Sequence, residues 1–163
     1  MVPWVKGIIF TDSNHGGDKV TSKSKTGVMV FVGANLLKSI SKMQKTVADS
    51  TKNAEMVALR AACDEAKDLM YTLRSLGVRV QLPIQIFSDS KAAVDNVTIP
   101  GSPLRKKQES IIYHKCREGI ALELWEIYFL DGDENSSDIN TKVTARDVLN
   151  KHTGHVMCGQ GLR

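Results

Sequence analysis

The sequence has no apolar run near the ~18 consecutive residues that a membrane-spanning helix needs. Cysteine is scarce: Cys63, Cys116 and Cys158 are odd in number and widely spaced, with no Cys-x-x-Cys pair. That usage excludes a disulfide-stapled scaffold and reads as free thiols in a reducing compartment. Met1-Val2-Pro3-Trp4 shows no charged segment followed by an apolar one, so no secretory signal is expected and the protein is read as intracellular, cytoplasmic or nuclear. No internal repeat, low-complexity tract or linker breaks the chain, and no Ser/His/Asp arrangement for a protein nucleophile is evident.

What is present suits one compact domain. The 163 residues are 42% hydrophobic and 25% charged, enough to bury a core without staples. A net charge of +4 is a mild basic bias, compatible with a polyanionic partner. The basic residues are grouped. Lys19, Lys23 and Lys25 share one loop, Lys38, Lys42 and Lys45 follow, and Arg105-Lys106-Lys107 form a run. These are either solvated faces or a track for phosphates.

Patterning predicts a mixed α/β domain. Val5–Phe10 is a short apolar run, read as a strand buried on both faces, and Thr11–Thr26 is a polar loop. Gly27–Val32 and Leu36–Ser41 are strands around a Gly33-Ala34-Asn35 turn. Ser50 to Leu76 has helical spacing, with Val57, Ala61, Ala62, Leu69, Leu73 and Leu76 on one face, a cap at Ser50 or Thr51 and a stop at Gly77. Pro83 opens a fourth strand, Ile84–Phe87, and a short helix runs from Ser90 to about Val97. Pro100 and Pro103 precede a helix over Leu104–Arg117; Leu122–Leu130 is a fifth strand, and Ser136 or Ser137 caps a last helix to about Asn150. The order is β-β-β-α-β-α-α-β-α, a domain over 1–150 with a loose tail at 151–163.

Two segments end alike, Ile9-Phe10-Thr11-Asp12-Ser13 and Ile86-Phe87-Ser88-Asp89-Ser90. If these strands lie side by side and parallel, Asp12 and Asp89 meet at the sheet edge where ligands bind, and two carboxylates there repel unless a cation separates them. Glu55, near the start of the long helix, and Asp138, in the first turn of the last, can converge on the same crevice. Hard oxygen ligands of this kind select Mg²⁺ or Mn²⁺ rather than zinc. Each acid has a plainer alternative: turn caps for Asp12 and Asp89, a macrodipole-favoured acid for Asp138, and a solvated helix residue for Glu55. Asp131, Asp133 and Asn135 echo a calcium loop but lack its glycine and final glutamate, and His152, His155 and Cys158 lack further ligands.

Along almost its whole length the chain resembles the RNase H domain of copia-type LTR retrotransposon polyproteins. The resemblance is carried by Phe10-Thr11-Asp12-Ser13 with Gly17-Asp18-Lys19, by Ser24-Lys25-Thr26-Gly27, and by Ser41-Lys42-Met43-Gln44-Lys45-Thr46-Val47-Ala48. Ala54-Glu55-Met56-Val57-Ala58-Leu59, Phe87-Ser88-Asp89-Ser90-Lys91-Ala92-Ala93, Tyr113-His114 with Arg117-Glu118, and Ser137-Asp138-Ile139-Asn140-Thr141-Lys142 follow in the family's order. The chain departs from the pattern at Asn53, Met56, Gln108 and Val143, where the family has Glu, Tyr, His and Pro.

The resemblance implies an RNase H-like fold, a five-stranded mixed sheet flanked by helices. It implies a ribonuclease H activity, two-metal hydrolysis of the RNA strand of an RNA–DNA hybrid, beside a reverse transcriptase of the same polyprotein. Two Mg²⁺ ions, or Mn²⁺, would sit about 4 Å apart. Asp12 would bridge both, Asp138 would help hold the ion serving the attacking water, and Glu55 with Asp89 the ion at the leaving oxygen. Asn14, Lys25 and Lys42 are the candidate contacts to the nucleic acid. Some enzymes of the family carry a histidine in the loop before the last helix; Asp131-Gly132-Asp133-Glu134-Asn135 has none, and Glu134 reads as a solvated loop acid rather than a substitute. The departures motivate a second reading, a catalytically silent domain that binds nucleic acid or serves assembly. Retention of all four acids argues for the enzyme, since buried carboxylates without a cation are costly. A strand-transfer enzyme of the transposase or integrase kind shares the fold but is not favoured by these motifs.

Overall fold

A computed structural model describes residues 4–99, 107–131, 135 and 137–141, without the side chains of 107–109, 138 and 139. The elements are β1 (Trp4–Asn14), β2 (Lys25–Val32), β3 (Asn35–Met43), α1 (Thr51–Ser75), β4 (Arg79–Ser88), α2 (Lys91–Thr98), α3 (Lys107–Ala121), β5 (Trp125–Phe129) and α4 (Asp138–Thr141). The strands form one five-stranded mixed sheet ordered β3-β2-β1-β4-β5. β1, β2 and β3 are antiparallel, and β4 and β5 add on in parallel. Among the described residues no helix is long and apolar enough to cross a membrane.

Alternation along β1 explains why its apolar run is unbroken. Ile9 faces a core shared with Val28, Val30 and Ile86 and covered by Met56, Leu59, Ala62 and Ala66 of α1. Ile8 and Phe10 face the other way, against Met29 and Phe31. On that second face the rings of Phe10 and Phe87 stack at 5.4 Å and those of Phe87 and Tyr128 at 5.5 Å. The core thus has two layers, one on each side of the sheet.

Several boundaries differ from the sequence reading, each for a tertiary reason. β1 does not stop at Phe10: Asp12, Ser13 and Asn14 pair with Gly27, Thr26 and Lys25 of β2, so polar residues are held in strand by their neighbour. Pro83 lies inside β4 rather than opening it, at an irregularity in the pairing with β1 between Lys6 and Ile8. A residue with no N–H is tolerated where the ladder is already interrupted. The buried face of α1 is wider than the expected one. Ala62 and Leu69 are buried as expected and Val57, Ala61 and Leu73 pack against the core, but Ala54, Glu55, Met56, Ala58, Leu59, Cys63 and Met70 are buried too, and Leu76 is 70% exposed. Ser50 caps the helix, accepting from the Asn53 N–H at 3.2 Å, and Gly77 follows its end at φ +75°.

α3 runs past Arg117 to Ala121 because Gly119 lets it lie against the indole of Trp125. β5 begins only at Trp125, after a turn in which Glu123 takes φ 54°. Cys63 and Cys116 are free, buried and 3.6 Å apart at sulfur; the last helix beyond Thr141, the tail with Cys158, and the run Arg105-Lys106 lie outside the described residues. The Gly119 contact makes a sharp prediction. A Cβ there would stand 1.9 Å from Trp125 Cζ2, and the indole is tethered by its N–H to the Cys116 carbonyl at 3.1 Å. Gly119→Ala is therefore expected to destabilise the domain by about 3 kcal/mol, at the upper end for overpacking. Urea unfolding checks this, and an unchanged midpoint would contradict the packing.

Candidate metal centre

The repeated segments lie side by side. β1 and β4 are parallel with Ile9 opposite Ile86, Phe10 opposite Phe87 and Thr11 opposite Ser88, so Asp12 and Asp89 occupy equivalent places one step further. β4 ends at Ser88, and Asp89 is followed at once by Ser90, whose hydroxyl caps α2 by accepting from the Ala93 N–H at 3.3 Å. Strand end and helix start thus fix the Asp89 backbone. Glu55 comes from the second turn of α1, which packs on β1 and β2.

These three acids converge. One carboxylate oxygen each of Asp12, Glu55 and Asp89 lies within 4.8 Å of the others, with Asp12 and Glu55 buried and Asp89 half-buried. Glu55 is only 5% exposed, which excludes the solvated-helix alternative. Its carboxyl is pushed up to about 8 by burial and by the charges of Asp12 and Asp89, against the lowering effect of a hydrogen bond from Ser13. Its Oε2 is buried and accepts no hydrogen bond among the described residues. A buried carboxylate with an idle oxygen, crowded by two like charges, is the donor set that a hard divalent cation neutralises.

Asp138 begins α4, and its side chain lies outside the described residues. The helix itself is firmly docked. The Thr141 hydroxyl donates to Asp12 Oδ2, and Asn14 Nδ2 donates to the Thr141 carbonyl at 3.1 Å. The Ser41 hydroxyl donates to the Asn140 carbonyl at 2.6 Å, and the Asn135 amide donates to the Thr11 carbonyl at 3.0 Å. Gly27 provides the flat seat: a Cβ there would come within 2.7 Å of Thr141 Cγ2 and 2.9 Å of Asn140 Cβ. Glu134 also lies outside the described residues.

The nucleic-acid candidates do not share one face. Asn14 is opposite Lys25, but Lys42 is opposite Thr26, the next residue of β2, and so lies on the other side of the sheet. Lys42 is exposed and Lys25 and Asn14 are half-buried, the last bound to α4 as described. Lys38, from the same cluster, pairs instead with Glu65 of α1 at 2.7 Å. Ser13, Asn135 and Thr141 were missed as site residues by the sequence reading. Only Thr141 carried a signal, as a polar residue one turn after Asp138.

No protein-family model matches the chain. It is 32% identical over 145 residues to the retrovirus-related Pol polyprotein from transposon TNT 1-94 of Nicotiana tabacum, an alignment covering 89% of this chain and 11% of that polyprotein. The Pol polyprotein from transposon RE1 of Arabidopsis thaliana is 26% identical over 140 residues, covering 86% of this chain and 10% of the relative. The chain therefore spans about a tenth of the length of these relatives. Among solved structures, LC11-RNase H1 in complex with an RNA/DNA hybrid superposes with a TM-score of 0.62 at 17% identity, covering 88% of this chain and 99% of that one. The fold is that of ribonuclease H.

Proposed function

From a ribonuclease H fold and a resemblance to the corresponding segment of copia-type retrotransposon polyproteins, we propose that this chain is a divalent-cation-dependent endonuclease that hydrolyses the RNA strand of RNA–DNA hybrids. The observation that carries the proposal is the cluster of Asp12, Glu55 and Asp89, brought from three separate elements to within 4.8 Å. In the polyprotein setting it would act inside the cell, next to a reverse transcriptase that produces such hybrids.

Asp12, Glu55 and Asp89 would hold the cations, Mg²⁺ or Mn²⁺, with Asp138 completing the set as the resemblance implies. When bound, a pair of such ions supplies an activated water and charge neutralisation at the leaving oxygen. The chain's own part is to hold the carboxylates in place. Thr141 and Ser13 donate hydrogen bonds to Asp12 and Glu55, and the Ser13 bond partly offsets the burial that raises Glu55. Asn14 and Lys25, paired on one face of the sheet, would offer an amide to the minor groove and a cation to phosphate, and Lys42 would meet phosphate from the other face. Electrostatic attraction to the hybrid would weaken with added salt.

The test is cleavage of an end-labelled RNA–DNA hybrid with Mg²⁺ or Mn²⁺, against a chelator control. Metal-dependent cutting of the RNA strand alone is the expected result. Binding of the hybrid without cutting in either metal would replace the nuclease with the silent binding module.

A further inference from the structure

Glu55 is held from two sides, by Ser13 at its carboxylate and by Gln44 behind its turn of α1. The Ser13 hydroxyl, on a side chain only 5% exposed, donates to Glu55 Oε1 at 2.9 Å, while Oε2 stays buried and accepts nothing among the described residues. Behind this contact lies Gln44. Its amide nitrogen donates to the Thr26 hydroxyl and to the Ala54 carbonyl, both at 3.0 Å. Thr26 is the β2 partner of Ser13, and the Ala54 carbonyl belongs to the peptide unit whose N–H is that of Glu55 itself. The Gln44 backbone N–H in turn donates to the Ser24 carbonyl at 2.8 Å, so the residue cannot drift from the sheet.

We propose that Ser13 and Gln44 are positioning residues for Glu55: Ser13 sets the rotation of its carboxylate and leaves Oε2 for a cation, and Gln44 pins the turn of α1 that carries it. The inference rests on the metal-centre reading above. Its physical ground is pre-organisation. A glutamate has three rotatable bonds, and a ligand already held in one rotamer loses less freedom when the cation binds. Partners behind a metal ligand also fix its orientation, and losing one typically weakens binding by about 10–100-fold. All three polar side chains of the relay, Ser13, Thr26 and Gln44, are buried, so water does not replace a lost donor freely.

The experiment is calorimetric titration of the full chain with Mn²⁺, alongside the Mg²⁺ concentration that gives half-maximal cleavage. Ser13→Ala is expected to weaken Mn²⁺ binding about 10-fold and to raise the half-maximal Mg²⁺ in proportion, with the rate at saturating Mg²⁺ nearly kept. Ser13→Thr, which keeps the hydroxyl, should restore binding. Gln44→Met, close in size but unable to donate, should weaken binding in the same direction and serves as the deciding variant should Ser13→Ala not fold. Wild-type affinity in either variant would overturn the role of that residue while leaving the metal centre intact. A wild-type chain that binds no Mn²⁺ would instead overturn the metal centre, and this proposal with it.

Discussion

Asp89→Asn is expected to cut hybrid cleavage by at least ~10²-fold while the protein folds and binds the hybrid as before. The magnitude follows from a comparison: losing a partner behind a metal ligand already costs about 10–100-fold, and losing the ligand itself cannot cost less. The substitution is close to isosteric. It keeps the Ser90 cap of α2 and the β4 pairing that ends at Ser88, because both use other atoms. Asp89 is half-buried, and its removal as a charge relieves repulsion on Glu55, so no loss of stability should obscure the result. The measurements are single-turnover cleavage in saturating Mg²⁺ and a filter-binding titration at fixed salt. Cleavage within a few-fold of wild type would show that Asp89 is a turn residue near the site and not a cation ligand.

The fold was legible where apolar pattern and chain order decide it. The matched flanks of Asp12 and Asp89 are a sequence feature that becomes a register, Phe10 against Phe87 and Thr11 against Ser88, because parallel strands align equivalent positions. The same logic brought three of the acids to one edge. What was not legible depends on partners distant in the chain. Ser13 meets Glu55 across 42 positions, and Asn135 meets the Thr11 carbonyl across 124. A serine or asparagine looks like any loop residue until the strand it faces is known. Pattern also misjudged the end of α1, where helical spacing put Leu76 on the inner face although it is 70% exposed. At the other end of the helix, Glu55 read equally well as a solvated residue. Its burial comes from the docking of the helix start against β1 and β2, not from its own spacing.

Docking of α4 shows how a site can depend on a missing side chain. Gly27 is the only residue type that lets Asn140 and Thr141 approach β2 as closely as they do. Thr141 then reaches Asp12, and the backbone of Asp138 is placed one helical turn away. The glycine in Ser24-Lys25-Thr26-Gly27, part of the resemblance to retrotransposon sequences, therefore has a physical reason that composition alone did not reveal.

Glu55→Gln should separate stability from activity, stabilising the cation-free protein at high pH while abolishing cleavage. In the folded chain the carboxyl titrates at about 8 rather than at its ordinary 4.5, chiefly because it is buried and secondarily because Asp12 and Asp89 are charged. A raised carboxyl binds its proton more tightly folded than unfolded, so its contribution is fully present below 4.5 and is lost as the pH rises through about 8. The melting temperature of wild type in chelator should fall across that window. Glutamine mimics the protonated form at every pH. The variant should match wild type near pH 5 and exceed it near pH 9, each kcal/mol recovered raising the melting temperature by about 2–4 °C in a domain of this size. Divalent cation should reverse the ranking at high pH, since it neutralises the three carboxylates of wild type and finds a weaker ligand set in the variant. Thermal melts at pH 5 and 9, with chelator and with Mg²⁺, provide the four comparisons. A variant no more stable than wild type at pH 9 in chelator would mean that neither burial nor the neighbouring acids raise Glu55 in solution, and the argument for a cation among the three would lose its electrostatic basis.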